Sequence, residues 1–217
     1  MTNLGRAYEY AKPHHTERSV SYYLGVALQM QGKPLAALPH LETCVVPIEL
    51  RPERDHRLGL SLMATGRLAE AESAIRSAFT AQPGNLNYQL GLAALHQAKG
   101  DFANAEAVHR EAILAHPDAS LAAKAYGDFL TSANRHVEAV AQYASAVKLK
   151  PADAAYRRVY ADGLRRAGEF KVAVAQLEAA FQLQPPTTPD LLELAETICS
   201  TRPATKRARL LRPRHQA

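Results

Sequence analysis

The sequence from Lys148 to Tyr156, KLKPADAAY, places a proline inside a region that is otherwise rich in strong helix formers. Proline has no backbone N–H to donate, and its ring clashes with the preceding turn of a helix. Pro151 therefore indicates that one predicted helix ends here and another begins. The same residue recurs at intervals of 34 residues, as Pro83, Pro117, Pro151 and Pro185. An internal period of this length is typical of a protein built from repeated helical units.

Other positions keep the same register. With the proline counted as the thirty-second residue, the predicted repeats are 18–51, 52–85, 86–119, 120–153 and 154–187. The seventh residue is Leu or Tyr, the eighth Gly or Ala, the fifteenth Gly or Asn, and the twentieth always Ala. Gly and Asn suit the left-handed backbone that follows many helix C-termini. The small residues allow two helices to approach closely, so each repeat is predicted to be a helix, a turn and a second helix.

This pattern resembles the tetratricopeptide repeat family over residues 18–187. The stretch Leu58–Pro83, LGLSLMATGRLAEAESAIRSAFTAQP, is the copy most similar to the family pattern. The resemblance implies an all-α fold, a right-handed superhelical solenoid of antiparallel helix pairs. Two departures are expected to change local loops. Glu49 replaces the proline of the first repeat, and the fourth repeat has Asn134 and His136 where Gly and an aromatic are usual.

The flanking segments are predicted to extend the array. Residues 1–17 are interpreted as the second helix of an incomplete repeat, and residues 188–200 as a closing helix with Thr188 as N-cap and Pro189 at the first helical position. Asp190, Glu193 and Glu196 are expected to form the polar stripe that a terminal helix turns toward solvent. Residues 201–217 show no apolar periodicity and are predicted to be disordered.

The basic charge of the chain is concentrated in that last segment. Residues 201–217 hold six of the 26 Lys and Arg residues and none of the 21 Asp and Glu residues. Polybasic segments bind nucleic acids or anionic surfaces by charge, but this one lacks the aromatic residues that stack on bases. A solvated tail is the other interpretation. The rest of the chain is nearly neutral, which gives no indication of a nucleic-acid-binding face.

No pattern of catalytic or cofactor-binding residues stands out. HExxH, GxSxG, GxGxxG and Walker A sequences are missing, and the segment 163–168, GLRRAG, lacks the Lys and Ser/Thr of a phosphate-binding loop. The nine histidines show no metal-ligand spacing, and Cys44 is expected to be a buried packing residue. We therefore expect no enzyme activity, no cofactor and no metal. No apolar run approaches the length of a membrane span, and the N-terminus does not resemble a signal peptide, so a cytoplasmic location is expected.

The family resemblance implies that the first helix of each repeat lines a concave groove that binds partner peptides. Carried over by position, the groove residues are Tyr22, Val26, Gln29, His56, Leu60, Met63, Leu90, Gln97, Lys124, Asp128, Arg158, Asp162 and Arg165. The first three repeats contribute mostly apolar or aromatic side chains, and the last two contribute charged ones. This difference predicts a peptide with apolar anchors at one end and acidic or mixed charge at the other. The alternative is that Lys124–Asp128 and Arg158–Asp162 are only i,i+4 pairs on solvated helix faces.

The predicted function is therefore that of a scaffold or adaptor that holds a partner peptide or protein. A second hypothesis is a non-catalytic, substrate-presenting segment of a larger enzyme, such as a glycosyltransferase or sulfotransferase. A third is binding of nucleic acid or an anionic surface by the basic tail. No repeat has Asn at the ninth position, so the carboxylate clamp known in some tetratricopeptide repeat proteins is not expected here.

Overall fold

The computed structural model describes residues 17–201, and within them the chain forms eleven α-helices, one short 3-10 helix and no strand. The predictions for residues 1–16 and for the basic segment 202–217 lie outside the described residues. The all-α fold class is confirmed. The described residues fall into two compact units, an N-terminal unit up to Ala115 and a C-terminal unit from His116 onward.

The N-terminal unit consists of three helix pairs. Its helices are α1 (Glu17–Met30), α2 (Pro34–Thr43), α3 (Arg51–Ala64), α4 (Leu68–Ala81), α5 (Leu86–Ala98) and α6 (Phe102–Ala115), and a 3-10 helix covers Ile48–Leu50. Each helix packs against the next one along the chain. The first helices of the pairs also contact one another, α1 with α3 and α3 with α5.

The C-terminal unit continues the same pattern with two pairs and a last helix. Its helices are α7 (Ser120–Ser132), α8 (His136–Leu149), α9 (Ala154–Arg166), α10 (Phe170–Leu183) and α11 (Thr188–Ser200). Consecutive helices again pack against each other. An apolar cluster joins α9 to α10 through Ala161, Leu164, Ala173 and Leu177, with Leu194 of α11 packed against it.

The turns inside the pairs have the predicted left-handed backbone. The φ angle is +71° at Gly32, +79° at Gly66, +77° at Gly100, +84° at Gly168 and +59° at Asn134. Glycine adopts this region without steric cost, and Asn is among the few other residues that tolerate it. The prediction that Asn134 replaces the usual glycine at this turn is confirmed.

The small residues allow the two helices of a pair to approach closely. A Cβ added to Gly25 would lie 2.8 Å from Leu41 Cγ, and one added to Gly59 would lie 2.6 Å from Ile75 Cγ1. The alanines at the twentieth position are fully buried, and these are Ala37, Ala71, Ala105, Ala139 and Ala173. The spacing of small residues in the sequence therefore corresponds to the contact line between paired helices.

The first pair departs from the others at its end, as its missing proline led us to expect. Helix α2 ends at Thr43, and Cys44 continues with an extended backbone at ψ 147°. Pro47 lies just beyond, and a proline disfavours the helical conformation in the residue before it. Cys44 is nevertheless buried, and its Sγ lies 3.2 Å from the carbonyl oxygen of Leu41. The expectation of a buried packing cysteine is confirmed.

The start of α11 differs by one residue from the prediction. The N-cap is Thr187 rather than Thr188, because Asp190 completes a reciprocal capping box with Thr187. The Thr187 amide donates to Asp190 Oδ2 at 2.7 Å, and the Asp190 amide donates to Thr187 Oγ1 at 3.5 Å. Both interactions satisfy amides that have no partner within the helix.

Candidate functional site

The C-terminal unit contains a cleft of about 760 Å³ between α7, α8, α9 and α11. Its lining residues are Asp128, Thr131, Tyr143, Arg158, Val159, Asp162, Arg165, Pro189, Leu192, Glu193 and Glu196. Four of the thirteen predicted groove residues meet here, namely Asp128, Arg158, Asp162 and Arg165. The cleft therefore brings together most of the charged residues predicted for the groove, with α11 as an additional wall.

The wall formed by α7 and α8 is a hydrogen-bonded group centred on Asp128. Lys124 Nζ donates to Asp128 Oδ2 at 2.6 Å, so the predicted i,i+4 pair is present. The Tyr143 hydroxyl donates to Asp128 Oδ1 at 2.9 Å and lies 3.1 Å from Thr131 Oγ1. Burial and the negative charge of Asp128 raise the pKa of Tyr143 above its ordinary value. The phenol thus stays protonated and holds the carboxylate at the cleft wall.

The arginines of α9 are paired differently from the prediction. Arg158 does not pair with Asp162: its Nη1 donates to Gln184 Oε1 at 3.0 Å, and its Nε lies 3.4 Å from Asp190 Oδ1. Asp162 instead accepts from Arg166 Nε at 2.8 Å and from Arg165 Nη2 at 3.2 Å. An acid N-terminal to its basic partner is the favourable order along a helix, and both partners of Asp162 follow it. The predicted Arg158–Asp162 pair is therefore wrong, because Gln184 and Asp190 engage Arg158 while Arg165 and Arg166 engage Asp162.

The acids of α11 face the cleft. Asp190 lies beside Arg158, the Glu193 Oε1 atom is 3.6 Å from Arg165 Nε, and Glu196 lines the cleft. The expected solvent-facing stripe is found only at Glu196, which is exposed, because Asp190 and Glu193 lie half-buried beside the arginines of α9. The signal that the sequence reasoning missed is the register. Counted from residue 188, Leu194 and Ala195 occupy the seventh and eighth positions of a further repeat.

Carboxylates outnumber guanidinium groups in the lining. The lining contains Asp128, Asp162, Glu193 and Glu196 but only two arginines, Arg158 and Arg165, while Lys124 and Arg166 pair with the two aspartates from outside the lining. Burial raises the pKa of Glu193; Arg165 acts in the opposite direction, while the neighbouring acids add to the increase. A cationic group in the cleft would relieve this repulsion.

Among the residues that the structure describes, three nitrogens of the cleft arginines, Arg158 Nε, Arg158 Nη2 and Arg165 Nε, are buried without a hydrogen-bond acceptor, although the two Nε atoms lie within ion-pair distance of Asp190 and Glu193. A buried donor without a partner costs free energy.

Two predicted groove residues of the N-terminal unit are buried instead of lining a surface. Tyr22 is 6% exposed in a cluster with Leu41, Cys44 and other apolar residues, and burial raises its pKa to about 12. His56 is 7% exposed, and its Cε1 would lie 2.8 Å from a Cβ on Gly91. The contacts of α3 with α1 and α5 explain this burial. These two side chains stabilise the packing of neighbouring first helices.

The other predicted residues of this unit are half-buried. Val26, Leu60 and Met63 pack against apolar clusters, and Gln29 Nε2 donates to the Arg57 carbonyl oxygen at 2.9 Å. Leu90 and Gln97 are also half-buried. A cavity of about 400 Å³ in the same unit is lined by Glu42, Asp55, Leu58, Leu62, Glu70, Ser73, Ala74 and Ser77, and by none of the predicted residues.

Two other kinds of site are absent from the part of the chain that the structure describes. Residues 17–201 contain no group of three or more His, Cys, Asp or Glu side chains arranged to hold a metal ion. In the same range, no helix has both the length and the apolar character required to cross a membrane.

Comparison with known proteins identifies the repeat. The tetratricopeptide repeat model matches residues 56–112 and 90–154, and no curated protein matches the chain. A thermophilic tetratricopeptide repeat protein of Thermus thermophilus is similar in structure, with a TM-score of 0.69, 20% identity, and coverage of 83% of this chain and 98% of that one. A tetratricopeptide repeat protein from Parabacteroides merdae gives a TM-score of 0.70 at 14% identity, and the match covers 92% of this chain and 77% of that one. MamA of Desulfovibrio magneticus gives a TM-score of 0.55 at 17% identity, and the match covers 80% of this chain and 100% of that one.

At these identities the similarity to the solved structures concerns the fold. The family model matches the repeats themselves, and the helix pairs and left-handed turns occur where the 34-residue period requires them. Residues 56–154 are thus tetratricopeptide repeats, and the helix pairs before and after them have the same fold.

Proposed function

We propose that this chain is a non-catalytic scaffold or adaptor, and that the cleft of the C-terminal unit binds a peptide segment of a partner protein. Tetratricopeptide repeats serve in general as protein–protein interaction scaffolds, which supports the broader part of the proposal. The observation that carries the specific part is the cleft itself. It combines charged groups on α7, α9 and α11 with the apolar side chains of Val159 and Leu192.

The lining determines which peptide would fit. Glu193 and Glu196 would bind a Lys or Arg side chain, because the carboxylates outnumber the guanidinium groups of the cleft. An apolar neighbour in the peptide would contact Val159 and Leu192. We therefore propose a basic-apolar peptide rather than the acidic or mixed one expected from the sequence.

The test is fluorescence anisotropy of short blocked peptides, Gly-Leu-X-Leu-Gly, with X as Lys, Arg, Gln or Glu, titrated with the full chain. The Lys and Arg peptides are expected to bind more tightly than the Gln peptide, and the Glu peptide most weakly. Added salt should reduce the difference, since charges near a surface are screened. The double variant Glu193→Gln with Glu196→Gln should lose the preference for Lys and Arg.

A matched control is the double variant Glu111→Gln with Glu178→Gln, which removes two exposed acids outside the cleft. It should bind all four peptides as the unmodified chain does. Tighter binding of the Glu peptide, affinities independent of X, or equal effects of the two double variants would each refute the proposed assignment of the cleft.

A further inference from the structure

Helix α11 has the residues and the position of a first helix. Leu194, its seventh residue in the repeat register, packs against the cluster of Ala161, Leu164, Ala173 and Leu177. First helices earlier in the chain make the same kind of contact with the second helix before them, as α9 does with α8. The helix thus begins a sixth repeat, and its other side is the side on which a second helix would pack.

That other side is exposed. The eighth residue is buried in all five complete repeats, as Gly25, Gly59, Ala93, Gly127 and Ala161, whereas Ala195 is exposed. The eleventh residue is buried in the second, fourth and fifth repeats, as Leu62, Leu130 and Leu164, and half-buried in the other two, whereas Ile198 is 37% exposed. Leu191, one turn before Ala195, is 51% exposed. Residues three and four apart share a helix face, so Leu191, Ala195 and Ile198 form one uncharged apolar strip, here called the outer face of α11.

The complete repeats show what kind of helix covers such a face. The twenty-fourth residue is buried in every repeat, as Leu41, Ile75, His109, Tyr143 and Leu177. In the first, second and fourth repeats this side chain lies directly over the glycine at the eighth position. Alanine precedes it by four residues, and Ala or Cys follows it by three, and all of these are buried. The covering helix therefore presents one large side chain between two small ones.

The segment that follows α11 in the chain does not have this pattern. Counted in the same register, Leu211 occupies the twenty-fourth position, but Arg207 and Arg214 occupy the twentieth and twenty-seventh. In the complete repeats these two positions are at most 7% exposed and hold Ala or Cys. Two guanidinium groups at these positions would be buried without ion-pair partners, between helices that approach too closely to hold an arginine side chain.

We propose that the outer face of α11 is a docking site for an amphipathic helix of another protein. That helix would carry an alanine, a large apolar residue four positions later and a second alanine three positions after that. It would complete the sixth repeat in trans. An apolar outer side on a terminal helix is otherwise unfavourable for a helical array in water. The site is separate from the acids that line the cleft, so it does not depend on the proposed peptide binding.

The probe is a synthetic peptide with the α10 sequence, Phe170–Leu183, which contains Ala173, Leu177 and Ala180 in this pattern. A lactam bridge from Glu178 to a lysine introduced as Gln182→Lys would hold it helical on its exposed side, because short isolated helices are marginal in water. Binding to the full chain is measured by fluorescence anisotropy. We expect saturable binding that weakens by at least about tenfold, or 1.4 kcal/mol, when the peptide carries Leu177→Asp.

The protein variants locate the site. Ile198→Glu should reduce binding by a similar factor, whereas Val137→Glu, at a 77% exposed apolar residue of α8, should leave it unchanged. Circular dichroism checks that both variants keep their helices. No saturable binding, equal binding of the Leu177→Asp peptide, or full binding by Ile198→Glu would overturn the proposal.

Two further outcomes would assign the outer face to a different occupant. If sedimentation velocity shows the full chain self-associating, and Ile198→Glu abolishes this, a second copy covers the face and the proposal is wrong. If Leu210→Asp with Leu211→Asp raises the peptide affinity severalfold, the chain's own basic segment covers it, and the proposal is again wrong. Monomeric behaviour and unchanged affinity in these two measurements are the expected results.

Discussion

Replacement of Gly127 by alanine tests how the cleft wall is built. A Cβ at this position would lie 2.5 Å from Tyr143 Cε1 and 2.7 Å from Cδ1. The ring cannot move away, because a Cβ on Gly163 would lie 2.6 Å from Cδ2 on its other side and the hydroxyl is bonded to Asp128. Overpacking costs about 1–3 kcal/mol, and the change from Gly to Ala in a helix returns about 1 kcal/mol. We expect a net loss of roughly 0–2 kcal/mol.

A sharper expectation is that the effect of Gly127→Ala on stability changes sign when Tyr143 is also replaced. Leu177 lies over Ala161 at the equivalent positions of the next repeat, so an Ala–Leu pair packs well there. In a Tyr143→Leu background, Gly127→Ala should therefore become stabilising by about 1 kcal/mol. Contacting residues produce such non-additivity in a double-mutant cycle.

The assay is urea and thermal unfolding followed by circular dichroism, with hydrogen exchange to resolve the C-terminal unit, because repeat arrays can unfold one part at a time. A loss of about 1 kcal/mol should lower the Tm by about 2–4 °C. Gly84→Ala is the matched control, since a Cβ at Gly84 has no neighbour within 4 Å. Stabilisation by Gly127→Ala with Tyr143 present, or the same effect in both backgrounds, would refute the conclusion that the Tyr143 ring is held tightly between Gly127 and Gly163.

Three other expectations follow from the packing, the helix cap and a buried histidine. Ala139→Leu should destabilise the protein by about 1–3 kcal/mol, because Ala139 is fully buried between paired helices; an unchanged melting curve would contradict the register. Thr187→Ala should cost about 1 kcal/mol and speed hydrogen exchange in the first turn of α11, where it removes half of the capping box; exchange that speeds equally in α7 would contradict this. Burial lowers the pKa of His56 from its ordinary value of 6.5. The unfolded chain therefore binds the proton first, and stability should be complete above pH 6.5 and decline as the pH falls toward the folded-state pKa. His56→Leu should show a smaller change in Tm between about pH 7 and pH 5, and an unaltered pH dependence would contradict the assignment.

The helix pairs and their turns could be predicted from the sequence because they depend on local chemistry repeated in register. A proline ends a helix, and Gly or Asn supplies the positive φ of the turn, wherever the residue occurs. Because the period is 34 residues, each weak local signal recurs in register, four times for the proline and five times for the Gly or Asn. Even Asn134, a departure from the pattern, was correctly placed in the left-handed turn.

The candidate site could be predicted only in part. The ninth and twelfth positions of α7 and α9 led to Asp128, Asp162 and Arg165, all of which line the cleft. The same rule failed for Tyr22, whose side chain is buried among apolar residues near α1 and α2. The position of a residue along its helix defines the direction of its side chain. Whether another helix covers that side chain depends on the size of the residues in the neighbouring helices.

The sequence alone determined the fold class, the helix pairs, the turns and the line of small residues along which paired helices meet. Each of these depends on residues close together in the chain. Only the tertiary structure decided which groups the charged side chains contact and which helix faces remain exposed to solvent. Arg158 donates to Gln184 and approaches Asp190 rather than Asp162. Glu193 and Glu196 of α11 line the cleft, while Leu191 and Ile198 of the same helix are exposed. These outcomes depend on distances between helices that spacing along the sequence does not specify.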